Sequence, residues 1–318
     1  MVFTIQSKNK AVGMTLAHRK ARRRDTARSY AMLAPNLILF LLISVYPVIW
    51  ALQYMFYRYD GMSAKKFIGL GNFVRVFTRD PQFWQAVLNT FKYAGLKIVF
   101  MLPLAFVTAL LINNTKRRYA AIQAVIFSPT IMSSAVMALV FYLLFNVYSG
   151  EINKLLINIG WIVKPINWLG REMAMTTVLI VAIWGGLGNY MVYFLAGLQQ
   201  ISPEMYESAD LDGASALTKM FRITIPLLGP VLKVILMLSL INAFQDMTSI
   251  MVLTGGGPFN STNVMYLYIY NQYYPSSEAS SFLPQYGYGA AVSVVAAAIV
   301  GVITIAYIQI SKKLDDVY

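Results

Sequence analysis

Long apolar stretches separated by short polar segments make up most of the chain. A transmembrane helix needs about 20 mostly apolar residues. Stretches of this kind lie at about 31–56, 88–112, 120–147, 175–198, 225–253 and 290–310. Lys92 and Lys97 stand near the start of the second stretch. The fifth contains Lys233 and Asp246, and the other four carry no charge. The pattern predicts an all-α membrane protein with six transmembrane helices.

The basic residues of the connecting segments are distributed unevenly. The N-terminal tail, the C-terminal tail and the segments 114–118 and 201–224 together hold 15 Lys and Arg. The segments 57–87, 148–174 and 255–289 hold eight. Because cytoplasmic connections carry the excess of Lys and Arg, both termini are predicted to be cytoplasmic.

The composition is that of a protein surrounded by lipid. The 318 residues are 58% hydrophobic and 12% charged, with a mean hydropathy of +0.58. Average soluble domains are about 25% charged, so a soluble enzyme and a disordered chain are excluded. The net charge of +13 does not indicate nucleic-acid binding, because eight of the 26 Lys and Arg lie within residues 8–28 and the rest lie mainly at the ends of apolar stretches. With no cysteine and one histidine, His18, the chain is expected to hold no disulfide, thiolate or multi-His metal site.

The polar ends and the apolar body define three regions. Residues 1–29 are predicted to form a basic cytoplasmic tail, residues 30–312 the six-helix domain, and residues 313–318 a short C-terminal tail. The N-terminal tail is not expected to be a cleavable signal peptide, because the apolar stretch after it is too long and no small-residue cleavage site follows. It either fixes topology alone or also lies on anionic lipid.

Residues 255–289 form a connection rich in Tyr, Gly, Ser and Pro with one charge, Glu278. Tyrosines at the edge of a span are typical of an aromatic belt at the membrane interface. Stacking against a sugar and docking of a partner are alternatives. The tyrosines concerned are Tyr266, Tyr268, Tyr270, Tyr273 and Tyr274.

The segment 202–226 is acidic within a basic protein. It holds four acidic and two basic residues although it joins two cytoplasm-facing helix ends. Its pattern predicts a short helix with Ser202 as N-cap and Pro203 in the first position. This helix should end near Gly213, because glycine adopts a positive φ at low cost, and a second helix should follow at about 214–222. The charge and the small residues favour a protein partner over a purely topological role.

The spacing within this segment resembles the EAA loop of ABC-importer permeases. That pattern is Glu-Ala-Ala, three residues, Gly, nine residues, Ile, one residue and Leu-Pro. Here Ser208 stands in place of the first Ala and Ile225 in place of the Leu, and both are similar in size. The resemblance implies that the loop couples a permease to a cytoplasmic ATPase through Glu207, Ser208, Ala209, Asp210, Gly213, Ile223 and Pro226.

Further segments are similar to the maltose-type, carbohydrate-importing branch of these permeases. They are 67–91, 149–153 and 253–270, and the resemblance covers nearly the whole chain from about residue 28. It implies a type I ABC importer permease fold and a multi-pass protein of a bacterial or archaeal plasma membrane. This subunit would form half of an oligosaccharide pathway that works by alternating access. The implied partners are a second homologous permease, two ABC ATPase subunits, an extracytoplasmic solute-binding protein, the saccharide and membrane lipid, without nucleic acid.

ATP chemistry is expected outside this chain. The sequence has no G-x-x-x-x-G-K-[ST] and no Gly-Lys pair. The chain is therefore expected to be a transport subunit that binds no cofactor or metal, with ATP and Mg²⁺ held by the partner ATPase. A membrane enzyme is disfavoured, because the sequence has no Cys, no His within a span and no paired carboxylates within the spans. An ion-coupled secondary transporter or channel is the alternative, but it would need titratable residues in several spans, and Asp246 is the one clear acid.

Polar residues inside the apolar stretches mark a candidate substrate pathway, because such residues are costly in lipid. Ser239, Asn242 and Asp246 have spacings that place them on one helical face. Thr130 and Ser134 share a face in the same way. Carboxylate and amide groups in a dry pocket suit the hydroxyl groups of a sugar, so this pattern indicates saccharide binding.

The family resemblance assigns a transmembrane sugar site to Thr130, Ser134, Asn189, Ser239, Asn242 and Asp246. Trp184 and Tyr190 are candidates for packing against sugar rings. Other roles stay open: Ser and Thr hydroxyls in membranes often bond the preceding turn or a neighbouring helix, and Asp246 is also suited to a buried ion pair with a partner subunit. Without a basic cluster the pocket favours a neutral sugar, while a uronic-acid oligosaccharide remains open if partners supply bases.

Overall fold

The computed structural model describes residues 28–113, 117–275 and 283–313. Nearly all of the predicted N-terminal tail, with His18, lies outside these residues, and so do residues 314–318 of the C-terminal tail. Glu278 and part of the basic segment 114–118 also lie outside them. The domain limits at 29–30 and 312–313 therefore stay predictions.

The described part of the chain is mostly helical. In chain order its elements are α1 (Arg28–Phe56), β1 (Tyr57–Arg58), β2 (Lys66–Phe67), α2 (Gly71–Thr78), α3 (Pro81–Ile112), α4 (Arg117–Phe127), α5 (Ser134–Leu144), α6 (Glu151–Asn158), α7 (Ala174–Leu198), α8 (Pro203–Leu211), α9 (Ala216–Leu227), α10 (Gly229–Gln245), α11 (Thr248–Thr254), α12 (Met265–Tyr273) and α13 (Tyr286–Lys313). The two strands form one antiparallel pair with Tyr57 opposite Phe67 and Arg58 opposite Lys66.

Four helices of the described residues, α1, α3, α7 and α13, are each long and apolar enough to cross a membrane. Two bent pairs, which end in α5 and α10, raise the number to six if each pair is one span. The expectation of a helical membrane protein is therefore confirmed, and one pair of two-residue strands lies outside the helices. The second predicted span begins earlier than expected, at Pro81, where the Asp80 carboxylate accepts a hydrogen bond from the Phe83 amide at 3.0 Å. Lys97 consequently lies midway along a 32-residue helix and not near its start.

The third predicted span is bent by 96° between Ile131 and Ser134. Pro129 stands in a short 3₁₀ turn after α4, and Met132 is extended. The side chain of Ser133 then accepts a hydrogen bond from the Val136 amide and starts α5. Thr130 and Ser134 therefore lie on opposite sides of a helix break, and the expectation that they share one helical face is wrong.

The fifth predicted span is interrupted twice. Helix α9 and helix α10 meet at 70°, beside Pro230 in the first turn of α10. Proline has no amide hydrogen to continue the ladder, which accounts for the bend. Helix α10 ends at Gln245, and Asp246 is extended with φ −69° and ψ 121°. The expectation that Asp246 continues the helical face of Ser239 and Asn242 is therefore wrong, because the helix ends before it.

Helices α3 and α7 run in parallel and form the centre of the bundle. Their C-terminal halves share one buried cluster, which includes Met101, Ala105 and Phe194. Their N-terminal halves meet in a second cluster around Tyr93 and Val178. Burial of apolar side chains between these helices fixes their relative position and that of the polar residues that they carry.

The tyrosine-rich connection 255–289 contains a helix, α12, that is part of the packed bundle. Tyr268 is buried and donates a hydrogen bond of 2.5 Å to the Asp80 carboxylate, which also accepts one from Tyr288 of α13. Tyr274, in contrast, is largely exposed. Tyr268 is therefore a core residue and not a member of an interfacial belt, since its hydroxyl satisfies a buried carboxylate.

Candidate functional site

A cavity of about 410 Å³, here called the central cavity, lies among α3, the α4–α5 break, α7 and the α10–α11 junction. The structure brings six of the eight predicted pathway residues together in its wall. They are Thr130, Ser134, Asn189, Tyr190, Asn242 and Asp246. The wall also includes Lys97, Gln245, Thr248 and Ser249. The break between α4 and α5 and the break between α10 and α11 expose polar side chains and backbone groups to the cavity. Discontinuous helices commonly form binding sites in membrane transporters.

Two predicted pathway residues lie elsewhere. Ser239 is buried, and its hydroxyl donates to the Leu236 carbonyl at 2.9 Å, as expected for a hydroxyl that bonds its own helix. Trp184 is 40% exposed and its ring meets Phe141 edge-on at 5.2 Å between centroids. Neither side chain lines the central cavity.

Asp246 is the centre of a charged network at the cavity wall. Its Oδ2 atom accepts hydrogen bonds from Lys97 Nζ at 2.8 Å and from the Tyr93 hydroxyl at 2.5 Å. Its Oδ1 atom accepts one from the Ser249 hydroxyl at 3.0 Å. The Asp246 side chain is 16% exposed and that of Lys97 10%. Three hydrogen-bonding partners in a mostly dry site offset the cost of removing the carboxylate from water.

Lys97 is the residue that sequence reasoning missed. Its charge at membrane depth was a signal, because an ionisable residue within a span is a functional candidate. The late predicted start of the second span placed it close to the membrane surface. Asp246 and Lys97 thus form an ion pair within this chain. The alternative role of Asp246 was a buried ion pair with a partner subunit, and the structure shows such a pair with Lys97 of the same chain.

The remaining polar groups of the cavity are suited to hydroxyl-rich ligands. Asn242 donates to the Tyr190 hydroxyl at 3.3 Å, which places an amide beside an aromatic ring. The Thr130 hydroxyl donates to the Phe127 carbonyl at 2.7 Å and keeps lone pairs that can accept a hydrogen bond. Among the described residues, no three His, Cys, Asp or Glu side chains meet in a metal-binding cluster. The cavity therefore offers hydrogen bonds and a flat ring, and its opposite charges are already paired.

The acidic segment forms a compact helical hairpin, α8 and α9, which we call the coupling loop (202–226). Ser202 stands at the N-cap but its side chain makes no capping hydrogen bond. Gly213 has φ +74° and turns the chain between the helices. Ser215 accepts a hydrogen bond from the Thr218 amide at 3.2 Å and begins α9. The two helices are joined by the ion pair of Lys219 Nζ with Asp210 Oδ1 at 2.5 Å.

The predicted coupling residues lie in different environments. Glu207, Ser208, Asp210 and Gly213 are exposed, Ala209 is buried, and Ile223 and Pro226 are half-buried. Apolar side chains stand beside the exposed set, with Leu211 91% exposed and Phe221 also largely exposed. The hairpin thus combines a glycine turn with an exposed surface that is both acidic and apolar. Ile223 and Pro226 instead lie where the hairpin enters the α9–α10 bend.

The sequence and the fold both match known transport proteins. Residues 101–315 match the family described as binding-protein-dependent transport system inner membrane component. The lactose transport system permease protein LacF of Rhizobium radiobacter is 33% identical over 91% of this chain and 96% of its own length. The trehalose/maltose transport system permease protein MalF of Thermococcus litoralis is 31% identical over 93% and 98%.

A solved structure has the same fold. The crystal structure of a bacterial ABC transporter involved in the import of the acidic polysaccharide alginate contains a chain with a TM-score of 0.78 and 27% identity. The match covers 92% of this chain and 98% of that one. A second structure, of the bacterial alginate ABC transporter in complex with an alginate pentasaccharide-bound periplasmic protein, matches with the same TM-score.

Helix breaks around a polar cavity and an acidic hairpin after α7 define a membrane permease. The chain belongs to the family of binding-protein-dependent transport system inner membrane components. It is a multi-pass protein of the inner membrane and a transport subunit, not an enzyme, and ATP hydrolysis lies with a separate ATPase.

Proposed function

We propose that this chain forms half of the pathway of an ATP-driven carbohydrate importer, with the central cavity as its saccharide site. The observation that carries the proposal is the meeting of Asn189, Asn242, Tyr190 and Asp246 in one cavity, although their elements are far apart in sequence. Amides, hydroxyls and a ring face are the groups that a hydroxyl-rich ring requires. The sugar named for LacF and MalF and the alginate of the solved transporter are of this chemical class.

The proposed topology has six spans with both termini in the cytoplasm. The excess of Lys and Arg in alternate connections supports this arrangement. The two bent helix pairs provide the third and fifth spans. With this orientation the coupling loop faces the cytoplasm, where an ATPase operates.

The coupling loop is proposed to dock in a cleft of one of two ATPase subunits, which bind ATP and Mg²⁺. A second homologous permease completes the pathway, and an extracytoplasmic solute-binding protein delivers the saccharide. The exposed Glu207, Leu211 and Gly213 form the contact surface, and the Lys219–Asp210 pair links the two helices of the hairpin. A two-state shift from 1:99 to 99:1 requires about 5.5 kcal/mol of differential binding, so a rigid connection is needed. An ion-coupled transporter is not favoured, because the family works with a binding protein.

The absence of native cysteine makes a direct test simple. Asn189→Cys introduces a thiol in the cavity wall, and Ser149→Cys introduces a matched thiol at an exposed position outside it. The complete complex is placed in vesicles with its binding protein, which is first loaded with the saccharide that most raises its melting temperature. Turnover with ATP should slow labelling of Asn189→Cys by a thiol reagent and leave Ser149→Cys unchanged. Equal labelling with loaded and empty binding protein would contradict a saccharide site in this cavity.

A further inference from the structure

A second, larger cavity of about 930 Å³ lies at the end of the bundle where α1 ends and α13 begins. We call it the basic cavity. It is formed by the β1–β2 hairpin, α2 and residues 283–288. It shares no lining residue with the central cavity, and the transport mechanism described above does not use it.

The charge of the basic cavity is strongly one-sided. Among the described residues, four cationic side chains line it against one carboxylate, that of Asp60, and the four are Arg58, Lys66, Arg75 and Arg79. The Asp60 carboxylate already accepts hydrogen bonds from the backbone amides of Ser63 at 2.7 Å and Met62 at 3.0 Å, and from the Ser63 hydroxyl. These hydrogen bonds lower the pKa of Asp60, and the one from the Ser63 amide has the largest effect. The carboxylate is thus hydrogen-bonded within its own loop. The cavity therefore presents a field that attracts an anion.

Two features prepare these cations for a shared anion. Arg58 and Lys66 stand directly opposite each other in the β1–β2 pair, and like charges in this relationship destabilise a strand pair. An anion between them would remove that penalty. Arg75 is held by a hydrogen bond of 2.6 Å to Gln285 and lies 3.8 Å above the Tyr288 ring. Its guanidinium is thereby fixed in place, so a ligand would not have to order it.

The surroundings of the basic cavity are those of a membrane interface. Helices α1 and α13, which are both long and apolar enough to cross a membrane, have ends beside it. Helix α2 exposes Val74 and Phe77 by 54% and 58%, while Arg75 of the same helix lines the cavity. Exposed apolar side chains next to basic ones are typical of a helix that lies in the headgroup region. Ile49 and Trp50, in the last third of α1, are also exposed and give this part of the helix an apolar surface.

We propose that the basic cavity binds the phosphate of an anionic phospholipid, whose acyl chains lie along the apolar surface of α1. Arg58, Lys66 and Arg79 surround the phosphate, and the fixed fork of Arg75 donates two parallel hydrogen bonds to its oxygens. The lipid fastens the hairpin and α2 to the start of α13. It acts as a structural ligand, independent of the saccharide that is transported.

The test uses the complete transporter in nanodiscs of phosphatidylglycerol or of phosphatidylcholine. Arg58→Gln/Lys66→Gln removes two cavity charges, and the control Lys154→Gln/Lys164→Gln removes two exposed charges elsewhere. Native mass spectrometry should show that the wild type and the control retain phosphatidylglycerol over phosphatidylcholine. The cavity variant should retain it about tenfold less, because charge-assisted hydrogen bonds are lost. Arg79→Gln, which leaves the strand pair unaltered, should give a smaller loss in the same direction.

The melting temperature gives a second test, because a merely structural role of these cations would shift it in the same direction in both lipids. The Arg58→Gln/Lys66→Gln variant should melt higher than the wild type in phosphatidylcholine, where like-charge repulsion is relieved, and lower than the wild type in phosphatidylglycerol. A shift of the same sign in both lipids would overturn the proposal. Equal stabilisation by millimolar inorganic phosphate would assign the site to a free anion instead. Unchanged lipid retention together with weaker binding of the solute-binding protein would assign it to that protein.

Discussion

The Nζ atom of Lys97 lies 2.8 Å from the Oδ2 atom of Asp246, at the wall of the central cavity. The two residues are 149 positions apart in sequence, and both side chains are almost completely buried. A buried pair stabilises little in comparison with apolar packing, but loss of one partner leaves an uncompensated charge. This asymmetry provides a sharp test of the ion pair.

Asp246→Ala should reduce the free energy of unfolding by about 3–5 kcal/mol, because Lys97 remains buried and charged. The double variant Lys97→Met/Asp246→Leu should recover most of this loss without recovering transport. Glu151→Ala serves as control, since its pair with Lys154 is exposed and worth about 0–1 kcal/mol. Thermal unfolding in detergent measures the three variants. Equal melting temperatures for Asp246→Ala and Glu151→Ala would show that the pair does not form.

Asp246→Asn should change the selectivity of the pathway. The substitution keeps the shape of the side chain and a hydrogen-bond acceptor, but it leaves the charge of Lys97 unbalanced at the cavity wall. Uptake of an acidic oligosaccharide should then gain relative to uptake of a neutral one of equal length. Competition between a uronic-acid and a neutral trisaccharide in vesicles measures the ratio. A ratio equal to that of the wild type would remove Lys97 from substrate discrimination.

Gly213→Trp should uncouple ATP hydrolysis from transport. Gly213 has φ +74°, a region that costs other residues about 1–2 kcal/mol, and it lies on the exposed side of the coupling loop. Gly160→Trp is the matched control, because Gly160 has φ +75° and, like Gly213, open space around its Cα. Uptake and stimulated ATPase activity are measured in the same vesicles. The coupling role would be refuted if both variants behaved alike.

Gly188→Ala should disturb the cavity through helix packing. A Cβ atom at Gly188 would lie 2.8 Å from the Ile126 carbonyl oxygen and from the Phe127 Cα, so α7 must move away from the end of α4. Overpacking of this kind costs about 1–3 kcal/mol. Gly95→Ala, at a helical position with open space, should instead stabilise the protein by up to about 1 kcal/mol. The melting temperatures of the two variants should therefore shift in opposite directions, and transport should fall only for Gly188→Ala.

The residues of the coupling loop illustrate what local pattern predicts well. The turn at Gly213 and the proline start of α8 were expected from backbone preferences alone, and both are present. The second helix of the loop starts slightly later than expected, at Ala216, because Ser215 caps it. Such features depend on neighbours a few residues away, so the sequence contains nearly all the information that they need.

The residues that line the central cavity could not all be predicted from local sequence pattern. Thr130, Ser134 and Asn242 were expected to face a pathway and do line the cavity, but Trp184 turns away from it and packs on Phe141. The apolar lengths of the spans could not show where helices break, since a bent span and a straight one contain equally apolar residues. The breaks near Pro129 and Asp246 decide which backbone and side chains reach the cavity.

The sequence by itself determined the class of protein. The length of its apolar stretches, the bias of basic residues and the spacing of the acidic loop are each properties of short segments, and each has a direct physical meaning in a bilayer. Only the tertiary structure decided that Lys97 neutralises Asp246, that the polar residues of five elements surround one cavity, and that four basic residues line a second cavity where α1 ends and α13 begins. These relationships arise from the packing of α3 against α7 and from the meeting of α1 with α13, which no local pattern specifies.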